Sequence, residues 1–151
     1  VLGESIGWIA GVIVTSVLFV LVHAQNPGAN AQGIAAVVLA GGFLAIVVLV
    51  TRSLYAAWMA HFAWNFTMAA LFHSAVSGAG LETPDYRVVD AGPDWATGGA
   101  WGPEGGAFAA AAMLCASGLL LAWHRRAARQ PQRATESELR HAPSRREEPL
   151  A

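Results

Sequence analysis

Apolar residues gather into four runs along the chain, Ile6 to Ala24, Gln32 to Val50, Leu54 to Phe72 and Ala107 to Trp123. Each run is near the ~20 residues that an α-helix needs to cross ~30 Å of hydrocarbon. The pattern predicts an all-α, multi-pass transmembrane helical bundle with four helices in this chain, over residues 1–124. Between the second and third runs stands only the short link Thr51 to Ser53. Between the third and fourth runs lies His73 to Gly106, rich in Gly and Pro. Trp95 and Trp101 sit there where interfacial aromatics usually do, so this loop is expected on the membrane surface. Residues 125–151 mix Pro, Arg, Glu and Ser with almost no large apolar side chain, and a disordered tail is expected there. The first run lacks the basic start of a secretory signal and is long for one, so it is read as a span.

Composition supports this picture. Of 151 residues, 55% are hydrophobic and only 13% charged, and the mean hydropathy is +0.44, too apolar for a soluble domain of this length. No basic stripe interleaved with aromatics occurs, so nucleic acid is set aside as a partner and the lipid bilayer takes its place. Seven of the nine basic residues, all arginine, lie in the tail, which predicts a cytoplasmic C-terminus. Arg52 in the short link then also falls inside, and the acidic loop 73–106 falls outside. Arginine without lysine, with abundant Ala and Gly, suggests a bacterial source and hence a bacterial plasma membrane. The single cysteine, Cys115, lies in an apolar run and is read as a small hydrophobe.

Polar residues inside the spans carry the functional signal, because an ionisable group in hydrocarbon is costly and usually faces a site. In "HFAWN", His61 and Asn65 are spaced i,i+4 and share one helix face. In "FVLVH", Phe19 and His23 do the same. Two helices therefore each present a histidine. Trp58 and Trp64 are taken as pocket lining at most, while His73, His124 and His141 fall at span ends or in the tail and receive no role. Small residues in "GWIAG" and "AGGFLA" would let helices approach closely.

"FVLVH" followed by "RSLYAAWMAHFAWNF" resembles the F-x-x-x-H and H-x-x-x-N/D motifs of the CAAX prenyl protease and bacteriocin-processing family, the intramembrane proteases that include the type II CAAX prenyl endopeptidases. "AVSG" from Ala75 to Gly78 is also similar to bacterial members. The resemblance covers roughly residues 1–123. It implies that His23 helps a glutamate activate water for attack on a peptide carbonyl, that His61 and Asn65 stabilise the oxyanion, and that Phe19 shapes the pocket. It implies a peptide or membrane-protein substrate.

The family's first motif, E-E-x-x-x-R, is not found, and Glu4 has neither a neighbouring Glu nor an Arg four residues on. The chain, which begins with Val, is therefore expected to be a C-terminal portion that starts just after the motif, with little or no proteolysis alone. A geometric problem also arises. At 1.5 Å per residue, His61 stands roughly 10 Å from the inner end of its helix and His23 roughly 25 Å along its own. The two meet only if the crossing begins near Val12, leaving Gln25 and Asn26 in a wet cavity before the helix-breaking Pro27. A separation above ~10 Å would exclude a shared site. If the enzyme is metal-dependent, His23 and His61 are the expected ligands of a divalent metal such as zinc. The alternatives are a bis-histidine haem or metal protein, or a non-catalytic bacteriocin-immunity or scaffold protein of the same fold.

Overall fold

The computed structural model describes residues 2–80, 86 and 88–141, with side chains described over 7–80, 86 and 88–129. Four long helices are present among these residues: α1 (Leu2–His23), α2 (Ala31–Thr51), α3 (Leu54–Phe66) and α5 (Ala107–His141), with a one-turn α4 (Asp94–Thr97) in the loop. A π-helical turn, Thr67–Leu71, prolongs α3, and two 3-10 turns, Gly99–Trp101 and Pro103–Gly105, precede α5. Apart from a single bridge between Val76 and Ala79, the described residues contain no β-structure.

Helix boundaries follow from local chemistry. α1 ends four residues before Pro27, which cannot continue the hydrogen-bond ladder. Asn30 then caps α2, its side chain accepting from the Gly33 N–H at 2.8 Å. Arg52 closes α2 in the left-handed conformation, with φ 56°, and Ser53 caps α3 by accepting from Ala56 N–H. The short link is thus two caps back to back.

α2 is the hub, packing against α1, α3, α5 and the second 3-10 turn. Its contact face is small: Gly33, Ala36, Val37, Gly41 and Val47 are buried. The Phe19 ring lies 3.6 Å from where a Cβ on Gly41 would stand, so this glycine lets α1 and α2 approach. Gly7, Gly11 and Gly42 meet nothing within 4 Å and play no such part.

Outside this seam large apolar side chains point outward. Ile9, Ile13, Val17 and Leu21 on α1 and Phe108, Leu114 and Leu119 on α5 are all exposed, an arrangement that suits lipid better than water. α2 and Ala107–Arg129 of α5 are each long and apolar enough to cross a membrane.

Two expectations are corrected here. α5 does not stop at Trp123, nor does an irregular tail begin at 125: the helix runs to His141. Ala, Arg, Gln, Glu and Leu are good helix formers, and a helix already nucleated in the apolar run extends through them without a core of its own. Residues 142–151 lie outside the described residues. The loop, second, does not simply lie on the surface. Trp95 is 65% exposed, as an interfacial residue would be, but Trp101 is 1% exposed and wedged against Gly33 at the start of α2.

Backbone ties hold that wedge. Gln32 donates to the carbonyls of Asp94 and Gly105 at 2.9 and 2.8 Å. Gly78 N–H donates to Trp101 O at 2.8 Å, and Asn26 Nδ2 donates to Ser77 O at 2.9 Å. The loop before α5 is therefore a plug fastened to the α1–α2 turn and to the first turn of α2.

Candidate active site

α1 and α3 bring their histidines together. The ring centroids of His23 and His61 are 6.3 Å apart, inside the distance that a shared site requires. Phe19, one turn below His23, packs against both rings, at 4.2 Å from His23 and 5.4 Å from His61. At the start of α3, the Arg52 guanidinium lies 5.1 Å from the centre of the Trp8 ring. The α2–α3 link thus stands beside the second turn of α1, and the first turn extends past it, which removes part of the expected offset. Gln25 and Asn26 do not line the site: Gln25 turns back to Leu21 O and Asn26 holds Ser77 O.

Hydrogen bonds set the state of each ring. His23 Nδ1 lies 2.7 Å from the Phe19 carbonyl, which can only accept, so Nδ1 carries the proton. Nε2 is then left with a lone pair. Asn65 Nδ2 is 3.2 Å from His61 Nε2 and donates to it. One amide proton of Asn65 and the Nδ1–H of His61 remain to meet an incoming oxygen.

These groups border a cavity of about 210 Å³, walled by Val37, Ala40, Phe43 and Leu44 of α2 and by Ala112, Met113 and Ala116 of α5. Its polar lining is short: His23, His61, Asn65, Ser77 and Glu104, with Trp64 and Trp101. A mostly dry wall with a few convergent polar groups is what strengthens electrostatic stabilisation of a developing charge.

Trp64 and Trp58 part company. At ~100° per residue, Trp64 and His61 fall closest to buried Ala57 and Phe62 and Phe66 on the opposite side, while Asn65 and Trp58 stand near each other at the border between the two faces. Trp58 is 62% exposed and stacks on Phe62, which stacks on Phe66. Trp58 therefore does not line the pocket. Trp58→Ala should leave stability within about 0.5 kcal/mol of wild type, as surface changes usually do. A clearly lower midpoint of thermal unfolding in detergent would show that this face is packed.

Glu104 was missed from sequence, where it counted only as one acidic residue of an outer loop. It is 8% exposed and lines the cavity. Trp64 Nε1 donates to its Oε2 at 2.9 Å, and the Ser77 hydroxyl donates to its Oε1. A long Gly/Pro loop that carries a lone carboxylate between Trp and Gly, "WGPEGG", is the signal that could have flagged it.

Among the described residues no three His, Cys, Asp or Glu side chains lie close enough to share an ion. Asn65 Nδ2 already reaches His61 Nε2, and Phe19 packs on both imidazoles.

Residues 1–67 match the Rce1-like family, type II CAAX prenyl endopeptidase. The match spans α1, α2 and α3, and so includes Phe19, His23, His61 and Asn65. No curated protein and no solved structure matches the chain. The Rce1-like endopeptidases are membrane-embedded proteases, and two helices here are long and apolar enough to span; the family is the one that the two motifs resemble, with the match covering residues 1–67 and not the roughly 1–123 expected.

Proposed function

We propose that this chain carries the histidine and oxyanion half of a membrane-embedded endopeptidase that cuts peptides or membrane proteins close to the bilayer. The observation that carries the proposal is the meeting of His23, His61 and Asn65 at one cavity, from motifs on different helices.

Water bound beside His23 gives a proton to Nε2 as its oxygen bonds to the scissile carbonyl carbon. The carbonyl oxygen becomes an oxyanion and meets the N–H groups of Asn65 and His61. The C–N bond then breaks, and the proton on His23 passes to the departing amine. In the Rce1-like family a glutamate shares the work of the histidine that His23 matches. The protein sits as a multi-pass protein of a bacterial plasma membrane with its C-terminus in the cytoplasm, supported by the arginines at Arg52 and beyond residue 124.

The test labels new N-termini in membranes from cells that produce the protein from its natural reading frame or its His23→Ala variant. Termini adjoining membrane segments should appear with the first and vanish with the second. Identical sets for wild type and His23→Ala would end the endopeptidase reading.

A further inference from the structure

We propose that Glu104 is a positioning residue of this site, tying Trp64 of α3 to Ser77 of the loop so that His61 and Asn65 face His23. The inference rests on the endopeptidase reading for its meaning, but the tie itself is a matter of geometry.

A carboxylate removed from water is costly unless hydrogen-bonded. Each oxygen of Glu104 has its own donor, one from α3 and one from the loop, 40 and 27 residues away in sequence. The carboxylate is thus the joint between two segments that have no covalent reason to keep their relation. Trp64 precedes Asn65 directly and follows His61 by three positions, so a restraint on its indole fixes the rotation of that face about the helix axis. The need for such a restraint is visible in the helix: α3 is a regular α-helix for only 13 residues before it loosens into the π turn. On the loop side, Ser77 is itself anchored, its carbonyl taken by Asn26, three residues after His23. The chain of contacts from Trp64 through Glu104 and Ser77 to Asn26 therefore spans from the His61 helix to the end of the His23 helix. Removal of its central link should let the two histidines drift apart, although Glu104 bonds to neither ring.

Gln is the informative replacement. Its amide oxygen can accept from the Trp64 indole while its NH2 donates to the Ser77 oxygen, so Glu104→Gln keeps the tie and discards the charge. Glu104→Ala discards both. The proteins are made from the natural reading frame and read in two ways. The first is the rate of His23-dependent cleavage at the termini mapped above. The second, independent of activity, is modification of His61 by diethyl pyrocarbonate, followed by mass spectrometry with exposed His124 as the internal standard.

Glu104→Ala is expected to slow cleavage at least tenfold and to raise His61 modification severalfold, and Glu104→Gln to restore both to within about threefold. Where Glu104→Ala fails to accumulate in membranes, Trp64→Phe, which removes one N–H and keeps the bulk, should show the same two changes at smaller size. If Glu104→Gln is as slow as Glu104→Ala while His61 stays protected, the charge is what matters and the positioning role is overturned. It is equally overturned if neither Glu104→Ala nor Trp64→Phe alters His61 modification. Should no cleavage depend on His23 even in wild type, the endopeptidase reading fails, and the labelling result alone still decides whether the tie positions His61.

Discussion

His23→Ala should lower peptide cleavage by about 10² to 10⁴-fold, the range that a positioned general base contributes. The fall is expected in kcat, with KM little changed, because Nε2 meets the reacting water rather than the bulk of the substrate. The reasoning starts from the 2.7 Å contact between His23 Nδ1 and the Phe19 carbonyl. That bond puts the proton on Nδ1, leaves Nε2 as an acceptor, and holds the ring at the mouth of the cavity. Asn65→Ala should cost somewhat less, about 10² to 10³-fold in kcat, as loss of one oxyanion donor does. Its removal also frees His61 Nε2, now 3.2 Å from the amide. His23→Ala within threefold of wild type would dismiss the general-base role. An effect of Asn65→Ala confined to KM would dismiss the oxyanion role.

The largest structural effect is expected from Gly78→Ala. Gly78 has φ +76°, and a Cβ there would stand 1.9 Å from the Pro27 carbonyl oxygen. A left-handed backbone costs a residue with a side chain roughly 1–2 kcal/mol, and the overlap adds to this unless the backbone shifts. Any shift that relieves the overlap pulls Gly78 N–H from Trp101 O and Ser77 O from Asn26. A loss of about 2–4 kcal/mol is expected from such combined strain, read as a lower midpoint of thermal unfolding in detergent. Gly80→Ala is the control: a Cβ there meets nothing within 4 Å, and the midpoint should not move. Equal midpoints for the two variants would show that the plug is not fastened as described.

Much of the bundle was readable because it depends on short-range pattern. The apolar runs place α2 within one residue at each end, the end of α1 within one and the start of α3 at Leu54, while α1 starts four residues earlier and the end of the third run is the π turn; i,i+4 spacing puts His61 with Asn65 and Phe19 with His23 on single faces. That the two faces meet required the fold, since rise per residue alone suggested a mismatch. Angle about α3 places Trp64 near Ala57, but it leaves Trp58 beside Asn65, so only the packing shows that Trp58 turns outward. Glu104 and Trp101 had no periodic signature. Their burial depends on hydrogen bonds between distant segments, such as Gly78 N–H to Trp101 O and the Gln32 side chain to Gly105 O, and such contacts leave no spacing to read. The far part of α5 was missed for another reason, since poverty in apolar residues argues against a core and not against a helix.

The π turn at Thr67–Leu71 sits between the paired His61 and Asn65 and everything the loop delivers. Such a turn holds one residue more than an α-helical one, so it acts as a spacer whose length can change by a residue while the ladder before it stays intact. Insertion or deletion there would swing the exit of the chain by about 100° around the axis of α3, against the ties that hold Ser77 to Asn26 and to Glu104. Because Glu104 also holds Trp64, the length of this turn and the seating of the loop are fixed together, and a change in one would be felt at the face that carries His61 and Asn65.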